Sequence, residues 1–594
     1  MTMIAGIVGL RDDFPISNEV CDDLRQAISR HSGEQVLELR GDRHYLIKFD
    51  IGAFGSSGLH QDDAGAISLL AGEPLLDRTG KARKRPRADD LSELHHCWRR
   101  NDRSALKAAR GAFCMAQFDP ASRRLDLVAD KLGLRSLYYY RADDYVVFAS
   151  ALRVLEASRV VKKHMDVRGV AEIAAMRTAL ADRTPYAGVK VLKAGQIISF
   201  PENGHAEEPY WRWDTIRPAS ADLQDLRREA YRLFSESVKL RLGEHQTAVA
   251  FLSGGLDSRC IVTALKSAVD DVHTYSVAFP DTLDQPLAER YAEAIGSIHR
   301  HVPISDDGAH SPLTNVLPVL NPVEFGASES PKRPRIIWSG EGGSGVIGYV
   351  SQTTQLVELL RNGRIEEAAT RYLARKNQML PRRLFARSIA DLVCDLPRRG
   401  MVERLSSFEC ADPGRAISFF DLIDYQSRHL DDHYEDIDVT RVEFETPFYD
   451  SDFVALMYSV GIDACLYHDF YHKWLAEFPP VTTTVPWQTY PGHRPCPLPL
   501  PENFRDQWSN SHGRDWKRLR ARLQLDELNR ELRESKFPSP ILNRFSVNLA
   551  RWTARAGVGN YGHILTKAAI FTKYWKACGG QYVLSDPIRT TVTH

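Results

Sequence analysis

The residue types best suited to chemistry sit at Ser253-Gly-Gly-Leu-Asp-Ser258. The apolar run Ala248 to Leu252 precedes them and fits a short, buried parallel strand. From Leu256 the apolar spacing turns helical, with Ile261, Ala264 and Leu265 on one side. A strand that feeds a glycine turn into a helix points backbone N–H groups outward, where the helix dipole favours an anion. Gly254 and Gly255 let phosphate oxygens approach the backbone with no Cβ in the way, and Ser253 and Ser258 add hydroxyl donors. Asp257 would repel a bare phosphate, so it calls for Mg²⁺ between the two. The turn lacks the Gly-Lys-Ser/Thr ending of a Walker loop.

A second apolar strand, Ile336 to Trp338, runs into the glycine-rich loop Ser339-Gly-Glu-Gly-Gly-Ser-Gly345. Glu443-Phe-Glu-Thr-Pro-Phe-Tyr-Asp450 and Val485-Pro-Trp-Gln-Thr-Tyr-Pro-Gly-His-Arg494 follow downstream. Glu443 is either a proton acceptor for an attacking amine or the ion-pair partner of an arginine. These stretches need elements to hold them. Val272 to Phe279 reads as the next core strand, and a helix from Gln285 to Ile295 leads to a strand near Ile304. That βαβ rhythm predicts a parallel sheet, with ligand beyond the carboxyl ends of its strands. Residues 1 to about 200 instead read as stacked antiparallel sheets, with strands at Ile4–Gly9, Gly111–Asp119, Leu125–Tyr140 and Tyr145–Ser150. The predicted domains are therefore 1–205, a linker over 206–222, and 223–594 with an arginine-rich helical tail packed over the second domain.

Ser253-Gly-Gly-Leu-Asp-Ser258 resembles the pyrophosphate loop of ATP pyrophosphatases, and the order of motifs resembles asparagine synthetase. Asp130-Lys-Leu-Gly-Leu-Arg-Ser-Leu-Tyr-Tyr139 has a close counterpart in that family's glutamine-amidotransferase domain. The resemblance implies an N-terminal Ntn-hydrolase-like sandwich of antiparallel sheets (α+β). It also implies a C-terminal parallel-sheet ATP-pyrophosphatase domain (α/β) with helical additions. ATP would contact Leu252, Ser253, Gly254, Gly255, Leu256, Asp257, Ser258, Ser339, Gly340, Gly342 and the Ser276-Val277 backbone, with Mg²⁺ on Asp257. Glu341 is a candidate catalytic carboxylate, and His493 or Arg494 would replace the family's phosphate-binding Lys. The family's nucleophilic Cys falls at Ala5, which has no atom able to attack glutamine. Its Asn-Gly-Glu glutamine motif becomes Ala71-Gly72-Glu73, its metal-binding Asp becomes Ser344, and the Glu after it becomes Gly345. Cys21, Cys97 and Cys114 read as packing residues rather than substitutes for the nucleophile.

A first domain without its nucleophile, joined to an adenylating domain, is similar to the cyclising branch of the family, lasso-peptide cyclases above all. The implied reaction activates an Asp or Glu side chain of a precursor peptide with ATP and closes it onto the peptide's N-terminal amine. A leader-binding protein and a leader peptidase are the implied partners. An ammonia-using asparagine synthetase, a β-lactam synthetase-type enzyme and a catalytically silent binding protein remain as alternatives. Bulk composition describes an ordinary soluble protein: 594 residues, 43% hydrophobic, 26% charged, and 77 basic against 77 acidic residues. That balance gives no global pull toward nucleic acid, and the basic run Lys81 to Arg87 reads as a solvated loop. The nine cysteines form no CxxC pair, and no apolar run has the length of a membrane span, so a reducing cytoplasm is expected.

Overall fold

The computed structural model describes every residue except 1, 12–13, 32, 77–83, 202–203, 279–280, 304–334, 507–513, 559–560, 587–588 and 593–594. Lys81 to Arg83 of the basic run therefore lie outside the described residues. The first part of the chain stacks two six-stranded sheets. One is centred on Thr2–Gly9, paired antiparallel to His44–Asp50 and Tyr145–Ala149. The other is centred on Phe113–Asp119, paired antiparallel to Ile67–Gly72 and Arg124–Ala129.

The strand Thr2–Gly9 shows why the sheets stack. Ile4 and Val8 face the second sheet and pack with Leu69, Ala116 and Leu127. Met3, Ala5 and Ile7 point the other way, toward Val20, Leu24 and Ile28 of the helix Asn18–Ile28. A side-chain period of two thus buries the strand on both faces.

The second part is a five-stranded sheet in the order Ile298–Pro303, Asp271–Ala278, Thr247–Phe251, Ile336–Trp338, Glu443–Glu445. Every pairing in it is parallel. The fold class expected from the sequence is the one observed: antiparallel sheets first, then a parallel sheet carrying many helices.

Two boundaries differ from the sequence reading. Residues 206–209 are not linker, since Ala206–Pro209 forms an edge strand paired to Gln196–Phe200. The tail also does not pack over the second domain alone. Met165 pairs in parallel with Tyr582, and Lys567 in the helix Gly562–Ala577 donates to the Ala174 carbonyl at 2.8 Å. Apolar residues on that helix and on Val167–Met176 share one core, which brings the tail back to the first half.

Candidate active site

The central strand Thr247–Phe251 ends where the helix Leu256–Lys266 begins, and Ser253 to Gly255 make the turn. The turn is internally tied: the Ser253 N–H donates to Ser258 Oγ at 2.9 Å, and the Gly255 N–H to Ser253 Oγ at 3.2 Å. The Gly254 N–H donates to Asp284 Oδ1 at 3.0 Å, and the Gln488 side-chain amide donates to the same oxygen at 2.8 Å. A Cβ on Gly254 would sit 2.8 Å from Gln488 Nε2 and 3.1 Å from Asp284 Cα, so a side chain there would push the Gln488 amide off Asp284.

The second glycine loop comes off the neighbouring strand and packs on the first. A Cβ on Gly340 would lie 2.6 Å from the Ser258 nitrogen, and one on Gly343 would lie 2.6 Å from Asp257 Oδ1. Gly342 has φ +91°, a conformation that favours glycine. Both glycine loops therefore meet at Asp257. Ser344 Oγ donates to Asp257 Oδ2 at 2.5 Å, and the Tyr471 hydroxyl donates to Oδ1 at 2.7 Å. Burial raises the Asp257 carboxyl to about 6, against an opposing pull from these two hydroxyls. Tyr490 OH lies 3.1 Å from Ser344 Oγ and closes the ring of hydroxyls.

Sequence reasoning missed Ser344, Tyr471, Tyr490, Asp284 and Gln488 as site residues. Tyr490 and Gln488 lie in the stretch Val485–Arg494 that was singled out, but hydroxyl and amide side chains carry no spacing rule that would mark them. Arg259 explains how that stretch is held. Its guanidinium donates to the carbonyls of Thr482, Val485 and Pro486, and sits 4.3 Å from the Tyr291 ring centre.

An asparagine synthase family matches residues 229–466, and a glutamine amidotransferase domain family matches residues 81–211. These are asparagine synthetase-family domains. "Asparagine synthetase [glutamine-hydrolyzing] 3" of Bacillus subtilis is 25% identical over 37% of this chain and 38% of its own length. "Putative asparagine synthetase [glutamine-hydrolyzing] 2" of Methanocaldococcus jannaschii is 26% identical over 32% of this chain and 38% of its own length. "Asparagine synthetase [glutamine-hydrolyzing] 1" of Bacillus subtilis is 22% identical over 51% of this chain and 50% of its own length. The matches thus span half or less of these relatives.

Within the asparagine synthase domain the remaining candidates separate. Leu252 is buried behind the turn, and Leu256 opens the helix. Glu341 is partly exposed beside the turn, its carboxylate 3.8 Å from His429 Nδ1, and its N–H donates to Ser339 Oγ at 3.2 Å. Ser276 and Val277 lie at the carboxyl end of their strand. The Ser276 hydroxyl is turned to His299 and His301, which leaves its backbone as the part able to face a nucleotide.

Glu443 stands elsewhere. It opens its strand, opposite Ile336, at the end of the sheet away from the turns. Its buried carboxylate accepts from the Arg135 guanidinium of the first sheet pair. The ion-pair alternative is the one realised, because a carboxylate at that end of a parallel strand cannot reach the carboxyl-end site. The two replacement cations also fail as unpaired charges. Burial lowers the His493 imidazole below its ordinary value, so it is neutral near pH 7. Arg494 is half-exposed and donates to Asp469 Oδ1 at 2.8 Å.

Where the family's Glu falls at Gly345, the Gln426 side chain fills the space, and a Cβ on Gly345 would overlap its Oε1. Gln426 is anchored in turn through a 2.8 Å hydrogen bond to Asp421 Oδ2. It ends a π-helical turn, Phe420–Gln426, a form that often marks functional sites.

The donor set fits a Mg²⁺ ion that arrives with phosphates. The Asp257 carboxylate has about four acceptor positions and the two hydroxyls take one on each oxygen, while Mg²⁺ keeps several waters and needs only one or two carboxylates. Asp257 would hold the ion, which would neutralise phosphate charge.

Proposed function

We propose that this chain is an ATP-dependent, AMP-forming amide ligase of the cyclising kind. It activates an Asp or Glu side chain of a precursor peptide and closes it onto the peptide's own N-terminal amine. The observation that carries this reading is the pairing of an intact Ser253–Ser258 turn with Ala5. The turn sets the N-terminus of the helix Leu256–Lys266, and Asp257 with it, at the carboxyl end of the central strand. Ala5 is fully buried in the first strand between Ile47 and Ala149, with no atom there that could release ammonia from glutamine. The amine then has to come from outside the chain or from the substrate itself.

In this reading the N–H groups of the first turn of the helix Leu256–Lys266, which have no intrahelical acceptor, hold the pyrophosphate as it leaves, and Asp257 orients the charge that accompanies it. Gly340 and Gly342 bring the second loop close enough to cover the acyl centre, and Glu341 faces the incoming amine. Holding both reacting ends of one peptide in the same pocket supplies much of the rate, because the amine attack becomes intramolecular. A leader-binding protein and a leader peptidase would deliver the peptide.

A second reading is an asparagine synthetase that uses free ammonia, and the names of the relatives support it to the same degree. Pyrophosphate exchange into ATP separates the two. Exchange that depends on a candidate peptide, with ATP-dependent loss of one water from that peptide by mass spectrometry, supports cyclisation. Exchange with aspartate, and asparagine formed on adding ammonia, supports the second reading. Absence of exchange with any acyl substrate would leave a silent binding protein. Glutamine should yield no glutamate in any of these assays.

A further inference from the structure

The helix Arg544–Ala556 buries one face and exposes a second apolar one. Val547, Ala550 and Thr553 point into the core, whereas Phe545, Leu549 and Trp552 are 77%, 43% and 64% exposed. Those three follow a spacing of four and three residues, so they form one continuous stripe, and Val558 extends it at 60% exposed. Large apolar side chains clustered in this way mark contact sites, whereas single ones do not.

Beside the stripe lies a cleft of about 530 Å³ between this helix and Arg514–Arg533. Arg533, Arg544, Arg551 and Arg555 line it, with Asn529 and Asn548 between them. No carboxylate lines the cleft, and none of the four arginines has an ion-pair partner among the described residues. Arg551 is spent on amide oxygens, donating to Asn529 at 2.8 Å and Asn548 at 3.2 Å. Arg544 stacks 5.2 Å from the Phe537 ring centre. The nearest acids on the same stretch, Glu531 and Glu534, are both taken by Lys576.

We propose that this cleft and stripe dock an acidic, amphipathic segment of a partner polypeptide. Its apolar face would cover Phe545, Leu549 and Trp552, and its carboxylates would enter the arginine cleft. Guanidinium forks match carboxylates in paired geometry, and exposed aromatic and arginine side chains side by side are typical anchors of protein interfaces. A concave cleft suits a chain segment rather than a flat lipid surface, and the overall charge balance of 77 to 77 gives no general attraction to an anionic bilayer.

The test uses the full chain and a fluorescent amphipathic helical peptide with leucines on one face and glutamates flanking it. Two variants remove exposed groups only: Phe545→Ser with Trp552→Ser, and Arg533→Gln with Arg555→Gln. The expected result is anisotropy binding that each variant weakens roughly tenfold or more, and that falls as far when the peptide's glutamates become glutamines. Equal binding by the variants, equal binding of the glutamine peptide, or no peptide binding alongside sedimentation with phosphatidylserine vesicles would overturn the proposal. Pyrophosphate exchange is read on the same samples. Its loss would count against the proposed reaction, whereas the docking result stands or falls on the peptide alone.

Discussion

Asp257 shows how one buried side chain carries its charge at a cost to stability. Burial raises its carboxyl from 3.8 to about 6, so between those values the folded chain binds more protons than the unfolded one. Stability therefore falls as pH rises through that window, and the ionised form at pH 7 costs on the order of 2 kcal/mol after allowance for partial exposure. Asp257→Asn should raise the melting temperature at pH 7 and abolish pyrophosphate exchange. A variant that melts lower, or that keeps exchange, contradicts this account. Exchange by the native chain should also decline as pH drops below about 6, because protonation removes the charge that an accompanying cation needs. Tyr471→Phe takes away one of the two hydroxyls holding the ionised form, so the acid limb of that profile should move to higher pH.

The turn, the second glycine loop and the 482–490 stretch are positioned by each other more than by their own residues. Gly340 is the contact point, since its Cα faces the Ser258 nitrogen with no room for a methyl group. Gly340→Ala should push the loops apart, cost about 1–3 kcal/mol by overpacking, and lower kcat for exchange. Arg259 sits on the helix of the turn yet holds three carbonyls of the distant stretch. Arg259→Lys keeps the charge but loses the fork. It should raise the KM for ATP through Gln488, which bonds Asp284 at the turn, and steady-state kinetics would read this directly.

The two halves of the protein are joined by buried charge. Arg135 and Glu443 pair across the junction, and Arg110 and Arg241 share Asp450 at 3.0 and 2.9 Å. Lys84 adds a further contact across the junction, donating to the Arg241 carbonyl at 3.1 Å while it pairs with Glu73 of its own half at 2.9 Å. Such pairs contribute little net stability, but leaving one partner alone is costly. Arg135→Ala should lower stability by about 3–5 kcal/mol in denaturant melts, because the buried Glu443 carboxylate loses the guanidinium that balances its charge. Replacing both by leucine should recover much of that loss. Equal destabilisation by the single and double variants would show that packing, not charge, holds the junction. No helix among the described residues is long and apolar enough to cross a membrane.

The parallel sheet, the strand–turn–helix around Ser253–Ser258 and the alanine at position 5 were legible in the chain because each is a local pattern. An apolar run, a glycine pair before a helix and an alanine in place of a cysteine need no distant partner to be recognised. Glu443, His493 and Arg494 were not legible in the same way. Their roles depend on which end of a strand they occupy, what buries them and which charge reaches them first. Arg135, burial around His493 and Asp469 answered those questions. The same holds for Ser344, Tyr471 and Tyr490, whose hydroxyls converge on Asp257 from positions 87 or more residues away in sequence. A backbone conformation follows from neighbours a few residues off, whereas a carboxylate's charge state follows from whatever the fold packs around it.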